Sequence, residues 1–225
     1  MGERAPAEPA GGRAPADRPG ERAPADRPGE RAPADRPGER ARLFIALELP
    51  AAVREAVVAW RSAAVRDAAG LRLIRPEDLH VTLCFLGWQD AAAVGSIVSA
   101  CTAALAGRRA AALEVAEAIW LPARRPRVLA IALTDRGDGL FEVQGVLSRV
   151  LAAGGWYRPE TRPFLAHVTV ARVAQDRRSA RRGTLREPPA IAFEGSRVTL
   201  YRSRLGAGGA RYEALASREL VRRGA

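Results

Sequence analysis

Both histidines of the chain lie in the same short pattern, a histidine followed by valine, threonine and an aliphatic residue. The pattern occurs as HVTL at 80–83 and as HVTV at 167–170. In an extended strand, residues i and i+2 project to the same side, so each histidine shares a face with a threonine. The pairs are His80 with Thr82 and His167 with Thr169. Each motif therefore presents an imidazole beside a hydroxyl.

Two imidazoles on opposite sides of a cleft suit chemistry on a phosphodiester. One neutral imidazole can accept a proton from an attacking water, while the other, as imidazolium, donates a proton to the leaving oxygen. The threonine hydroxyls can hydrogen-bond the non-bridging oxygens, where negative charge grows in the transition state. A single histidine beside a threonine is usually a surface pair. Threonine occupies only 7 of 225 residues, however, so two such pairs are hard to attribute to chance.

Two further side chains follow the motifs closely. Arg172 follows the second motif, and its guanidinium could hold a phosphate. Strict strand alternation sends Arg172 to the face opposite His167, so this role requires a β-bulge between them. Cys84 shares the alternation of His80 and Thr82, and we expect its thiol on the motif face.

The first 41 residues form a tail of different character. RAPADRPGE is repeated without change at 13–21, 22–30 and 31–39. A nine-residue unit with two prolines, one glycine and no apolar face cannot build a packed core, so residues 1–41 are predicted to be disordered. Residues 42–225 are the predicted folded domain.

The formal net charge of +11 belongs to the predicted domain, because arginines and acids cancel in the tail. A domain this basic favours a polyanionic partner such as RNA, and a solvated arginine-rich surface is the alternative. The sequence contains no lysine, which excludes Walker-type phosphate binding, Schiff-base chemistry and ligases that work through an adenylylated lysine.

Hydrophobic periodicity predicts alternating strands and helices, with strands grouped late in the chain. The mixed order favours an α+β fold with mainly antiparallel sheets. Strand, helix and His-Val-Thr strand occur once on each side of the middle, and two similar lobes facing each other would bring the motifs together. GAGG at 206–209 lies between two strand-like segments and is predicted to be a hairpin turn.

No apolar run of about 18 residues and no signal peptide is recognisable, so we expect a cytoplasmic protein that makes no membrane contact. Cys84 and Cys101 have no metal-ligand spacing and are expected to be buried thiols. Two histidines without clustered cysteines or carboxylates leave a metal site incomplete, so neither a metal nor another cofactor is expected.

The residues around the motifs resemble the 2H phosphoesterase superfamily. Within it, the chain is similar to the RNA 2′,3′-cyclic phosphodiesterases, also called 2′-5′ RNA ligases. The resemblance covers residues 42 to about 220. It rests on five segments: RLFIALELP, HVTLCFLG, RPRVLAIAL, RPFLAHVTVAR and LYRSRLGAGGARYEAL.

The resemblance implies a bilobal fold with two sheets, flanking helices and pseudo-two-fold symmetry around a central cleft. It also implies hydrolysis of a terminal 2′,3′-cyclic phosphate of RNA to a 2′-phosphomonoester, and an ATP-independent 2′-5′ ligation through the same histidines. In this family pattern His80 donates a proton to the leaving 3′ oxygen and His167 activates water. Thr82 and Thr169 hold the phosphate, and Arg172 is a further candidate for this role.

Two alternatives stay open. The domain could act on a small cyclic nucleotide or on an ADP-ribose cyclic phosphate, or it could bind RNA without catalysis. We expect a monomer. Phe85, Trp120, Tyr157 and Phe164 are candidate platforms for a terminal base, with a core role favoured for each.

Overall fold

The computed structural model describes residues 40–65, 70–174, 186–206 and 209–222. The predicted disordered tail lies outside the described residues, except for its last two positions, which begin the first strand. No helix in the described segments is long and apolar enough to cross a membrane.

Within the described residues, nine strands and three α-helices form the fold. The helices are α1 (Ala51–Ala64), α2 (Val94–Leu105) and α3 (Gly139–Ala153). The strands are β1 (Arg40–Glu48), β2 (Leu71–Leu73), β3 (His80–Asp90), β4 (Ala111–Leu121), β5 (Val128–Asp135), β6 (His167–Val173), β7 (Ala192–Gly195), β8 (Arg197–Gly206) and β9 (Gly209–Glu219). Short 3₁₀ turns at Pro76–Asp78 and Ala91–Ala93 precede β3 and α2.

The strands form one antiparallel sheet in the order β7-β4-β5-β6-β3-β1-β8-β9, with β2 also paired to β6. The predicted α+β class with mainly antiparallel strands is confirmed. The two predicted sheets are joined edge to edge through β3 and β6, where Val81 pairs with Val168. The predicted hairpin also forms, since β8 and β9 pair as far as Gly206 and Gly209. The pseudo-two-fold symmetry stays a prediction.

The sheet has one face against the helices and one face away from them. Alternate residues of β1 and β5 join the main hydrophobic core with the buried sides of the three helices; they are Leu43, Ile45, Leu47, Leu129, Ile131 and Leu133. The residues between them, including Phe44, Ala46 and Ala130, are buried but are not part of that core. The second face carries the motifs, and we call it the cleft face.

A β-bulge interrupts each motif strand directly after the His-Val-Thr residues. In β3, Thr82 pairs with Ala46 and Cys84 with Ile45, so Leu83 has no partner on β1. Leu83 and Cys84 consequently both point into the core, where they are 3% and 1% exposed. The expectation that the Cys84 thiol lies on the motif face is therefore wrong, because strict alternation fails at the bulge.

The bulge in β6 has the same form. Thr169 pairs with Ala130 and Ala171 with Leu129, so Val170 has no partner on β5. The carbonyl of Val170 accepts hydrogen bonds from the Ile74 N–H at 3.0 Å and from the buried guanidinium of Arg61 at 3.2 Å. Arg61 also donates to the Ile74 carbonyl. These bonds satisfy polar groups that the irregular ladder would otherwise bury unpaired.

Two glycines give opposite expectations for the same substitution. A methyl group at Gly195 of β7 would lie 2.5 Å from Leu47 Cδ2, whereas one at Gly145 within α3 would meet only Arg149 Nη1 at 3.5 Å. We expect Gly195→Ala to lower the free energy of unfolding by about 1–3 kcal/mol through overpacking, and Gly145→Ala to raise it by about 0.5–1 kcal/mol through helix propensity. Denaturant unfolding of both variants tests this packing, and equal effects would contradict it.

Candidate active site

The strand register brings the two motifs together. Because β3 and β6 are antiparallel and Val81 pairs with Val168, His80 lies opposite Thr169, and Thr82 lies opposite His167. Directly paired residues project to the same side of a sheet. The four side chains therefore share the cleft face, and each histidine is placed across from the threonine of the other motif.

Both imidazoles are held in the same way. His80 Nδ1 lies 2.7 Å from the carbonyl oxygen of Asp78, and His167 Nδ1 lies 2.8 Å from that of Leu165. A carbonyl oxygen only accepts hydrogen bonds, so Nδ1 carries the hydrogen in both rings. Nε2 is then the nitrogen available for chemistry. In His80 it lies 3.1 Å from Thr82 Oγ1, which can donate to the neutral ring.

The segment before each histidine is anchored separately. The Asp78 carboxylate is buried and accepts from Arg75 Nε at 2.7 Å, which fixes the turn that supplies the Asp78 carbonyl to His80. On the other side, the Ala166 carbonyl accepts from the Leu133 N–H of β5 at 2.9 Å and fixes the residue that precedes His167. Neither anchor was recognisable from motif spacing.

Aromatic side chains surround His80. Its ring stacks on Phe44 at a centroid distance of 5.0 Å and meets the edge of Tyr212 at 5.4 Å. Tyr201 stacks on Phe44 at 5.2 Å and extends the cluster. In the described part of the chain, His167 has no corresponding ring contact. The two motif histidines therefore have different surroundings.

These surroundings change the acidity of His80. Burial lowers its pKa from 6.5 to about 4, and electrostatic interactions with Arg172 and His167 also lower it. The hydrogen bond to Asp78 and the negative charge of Glu48 oppose this shift. His80 is consequently neutral at pH 7 when the cleft is empty.

The Glu48 carboxylate holds the side chains that lie beside His80. It pairs with His80 across β1 and β3, and its Oε1 accepts from Thr199 Oγ1 at 2.5 Å and from the Tyr201 hydroxyl at 3.0 Å. Arg197 Nε lies 3.4 Å from the same oxygen. The carboxylate thereby fixes the Tyr201 ring, and burial together with Glu48 raises the pKa of the Tyr201 hydroxyl to about 12.

Arg172 lies on the cleft face because of the bulge at Val170. Past the bulge Arg172 pairs with Val128, and Val128 shares its side of β5 with Ala130, the partner of Thr169. The effect of the Arg172 charge on His80 agrees with this placement. Strict alternation puts Arg172 on the opposite face except where a bulge intervenes, and the structure contains that bulge.

The candidate base platforms occupy different environments. Trp120, Tyr157 and Phe164 are partly buried against the core. Phe85 occupies the position in β3 that Arg172 occupies in β6, pairs with Phe44, and lies under the Arg42 guanidinium at 4.6 Å. Burial raises the pKa of the Cys84 thiol to about 12, as expected for an unreactive core side chain.

The described residues contain no group of three or more His, Cys, Asp or Glu side chains that could hold a metal ion. The histidines, threonines and Arg172 instead form a site of proton carriers and hydrogen-bond donors. On this antiparallel α+β fold, the arrangement is the candidate active site, with the residue types that two-histidine chemistry on a phosphodiester requires.

Comparison with known proteins gives the same class. Residues 47–130 match the family described as LigT like Phosphoesterase. The chain is 31% identical over 180 residues to the RNA 2′,3′-cyclic phosphodiesterase of Escherichia coli K12, a match that covers 77% of this chain and 93% of that protein. The chain therefore belongs to the LigT-like phosphoesterase family.

Solved structures agree in fold. The crystal structure of E. coli LigT complexed with 3′-AMP superposes with a TM-score of 0.69 and 29% identity, covering 81% of this chain and 99% of that one. The protein TT0787 of Thermus thermophilus superposes with a TM-score of 0.68 at 23% identity, covering 80% of this chain and 97% of that one.

The acidity of His80 can be measured directly, since the chain has only two histidines and an NMR spectrum selective for the Cε1–H group of histidine contains two signals. We expect His80 to titrate near pH 4. Tyr212→Ala should raise this pKa by admitting water, and Arg172→Gln should raise it by removing a positive charge. Arg108→Gln, which changes an exposed arginine outside the cleft, is the matched control. An unchanged pKa in Arg172→Gln would place Arg172 off the cleft face.

Proposed function

We propose that this domain hydrolyses the terminal 2′,3′-cyclic phosphate of RNA to a 2′-phosphomonoester. The observation that carries this proposal is the pair of imidazoles on one face of the sheet, each fixed through Nδ1 and each opposite a threonine of the other motif. The curated E. coli relative bears the name RNA 2′,3′-cyclic phosphodiesterase. The basic charge of the domain favours a polyanionic substrate.

The proposed reaction is an in-line displacement at phosphorus. His167 Nε2 accepts a proton from the attacking water as the new P–O bond forms. The P–O3′ bond breaks on the opposite side, and His80 Nε2 donates its proton to the departing 3′ oxygen. The electron pair of the broken bond stays on that oxygen, so the product carries a 3′ hydroxyl and a 2′ phosphate.

Thr82, Thr169 and Arg172 are the proposed phosphate-binding groups. The two hydroxyls lie on either side of the Val81–Val168 pair and can donate to non-bridging oxygens. Arg172 adds a positive charge on the same face, where a guanidinium can make two parallel hydrogen bonds to a phosphate. No step in this scheme uses a metal ion or another cofactor.

A proton donor must carry a proton when substrate is present, whereas His80 is neutral in the empty cleft. We propose that the bound phosphodiester anion next to Nε2 stabilises the imidazolium, so His80 takes up its proton with the substrate. In the empty cleft, the lowered pKa has a separate effect on folding. The stability that a neutral His80 contributes is present above about pH 6.5 and is lost as the pH falls from 6.5 towards 4.

The domain is proposed to act in the cytoplasm as a monomer. The buried free thiols of Cys84 and Cys101 fit a reducing compartment. One chain supplies both motifs and the residues around them, so the proposed reaction needs no second subunit.

Replacing either histidine should slow turnover strongly. We expect His80→Ala and His167→Ala each to lower the single-turnover rate by about 10²- to 10⁴-fold on a short RNA ending in a 2′,3′-cyclic phosphate, with EDTA present. Ser62→Ala, on an exposed side of α1, is the control. The position of the product phosphate is assigned by ³¹P NMR. A folded wild-type protein that binds this RNA without hydrolysing it would favour the non-catalytic alternative.

Proton uptake by His80 gives a second test. In the two-signal NMR titration, a saturating nucleoside 2′-monophosphate should raise the pKa of His80 by about 1–3 units, because an anion then lies beside the ring. An unchanged pKa near 4 would remove His80 as the donor at neutral pH and assign that role to His167.

A further inference from the structure

A group of arginines adjoins the candidate site at one end of three neighbouring strands. Arg72 of β2 pairs directly with Arg172 of β6, and Arg172 pairs with Val128 at the start of β5. The loop that leads into β5 carries Arg124, Arg125 and Arg127. The Val173 N–H donates to the carbonyl oxygen of Arg127 at 2.8 Å, which ties this loop to β6. We call Arg72, Arg124, Arg125 and Arg127 the arginine surface.

The arginine surface is continuous with the phosphate-binding part of the cleft. Arg72 and Arg172 project to the same side because they are directly paired, and Arg172 lies close enough to His80 to lower its pKa. The distance from β2 to β5, measured across β6, is roughly 10 Å, or two strand spacings. A strand of nucleic acid whose end is held at the histidines can reach this surface.

The local charge is strongly positive. The segments 70–74, 121–128 and 167–174 contain five arginines and no acidic residue, whereas Arg75 is paired with Glu77 and Asp78. Arg124 and Arg125 are exposed, and Arg72 is exposed at the edge of the sheet.

The Arg72 guanidinium also lies against Gly209 at the beginning of β9, where an added methyl group would overlap it. The β8–β9 hairpin carries Tyr212, which contacts His80. Arg72 therefore lies between the hairpin that covers His80 and the strands that carry the other arginines. The surface begins at the cleft and leads away from it along the edge of the sheet.

We propose that the arginine surface binds the backbone phosphates of RNA upstream of the terminal cyclic phosphate. This inference rests on the proposed function, because the terminal phosphate sets the starting point of the bound strand. Guanidinium groups in a row are suited to a chain of phosphates and carry no base preference. Chain length beyond the terminal nucleotide therefore contributes to substrate selection.

The first experiment compares kcat/KM for a nucleoside 2′,3′-cyclic monophosphate with kcat/KM for an RNA octamer ending in the same group. For the wild type, the ratio of octamer to mononucleotide should be well above one and should fall with added salt. In Arg124→Ala/Arg125→Ala the ratio should drop by about tenfold. The mononucleotide value measured in the same variant corrects for any loss of folded protein.

The matched control is Arg108→Ala/Arg109→Ala. It removes the same charge from two exposed arginines in the turn between α2 and β4, away from the motifs. This variant should keep the wild-type ratio. An equal fall in both double variants would mean that only net charge matters, and an unchanged ratio in Arg124→Ala/Arg125→Ala would place the strand elsewhere. Either result overturns the proposal.

A binding measurement tests the RNA-binding surface even when the enzyme does not turn over. Fluorescence anisotropy of the labelled octamer with His167→Ala gives the salt dependence of the binding constant. For single strands, the slope of log K against log salt concentration changes by about 0.7 for each phosphate contact. Adding Arg124→Ala and Arg125→Ala to His167→Ala should therefore make this slope shallower by about 1.4. If the wild type hydrolyses neither substrate but this slope difference appears, the proposed reaction fails and the RNA-binding surface stands. If the slope is unchanged, the surface fails whatever the catalytic result.

Discussion

The antiparallel contact between β3 and β6 is the constraint on which the site depends. Val81 pairs with Val168, and two copies of one local pattern therefore run in opposite directions past each other. His80 meets Thr169, and His167 meets Thr82. A slip of one residue would turn one whole motif to the other face of the sheet. Because the contact is short, its register also depends on β1 and β5, which pair with the outer edges of the same two strands.

The two bulges change which side chains after each motif face the core and which face the cleft. A regular strand would continue to alternate between core and cleft, and Arg172 would then project into the helix-covered core. Instead, two consecutive residues enter the core after each motif, and the next residue returns to the cleft face. That residue is Phe85 in β3 and Arg172 in β6. The buried Arg61, which donates to the Val170 carbonyl, connects α1 to this change of direction.

The sequence alone predicted the secondary-structure elements and the motif pair. It did not predict the aromatic side chains that surround His80. Periodicity predicted the helices and the antiparallel strands because it depends on local side-chain order. It failed at Cys84, since a bulge depends on a partner strand that the local pattern does not contain. Tyr212 and Tyr201 were missed because they come from β8 and β9, more than a hundred residues after His80, and contact it only once the sheet has curled. The lowered pKa of His80 follows from its burial in the folded sheet and from the approach of Arg172, and it has no local signature.

The two motifs are chemically equivalent, and the proposed reaction requires them to differ. A displacement at phosphorus needs one imidazole without a proton and one with a proton, so identical surroundings would leave the direction of attack undefined. The difference comes from outside the motifs. Phe44 and the β8–β9 hairpin enclose His80, whereas Leu165, which holds His167, is 45% exposed. The less enclosed histidine has easier access to water, in accord with its proposed role as the base. In the proposed scheme His80 lies beside the departing oxygen and takes up its proton when the substrate anion binds next to it.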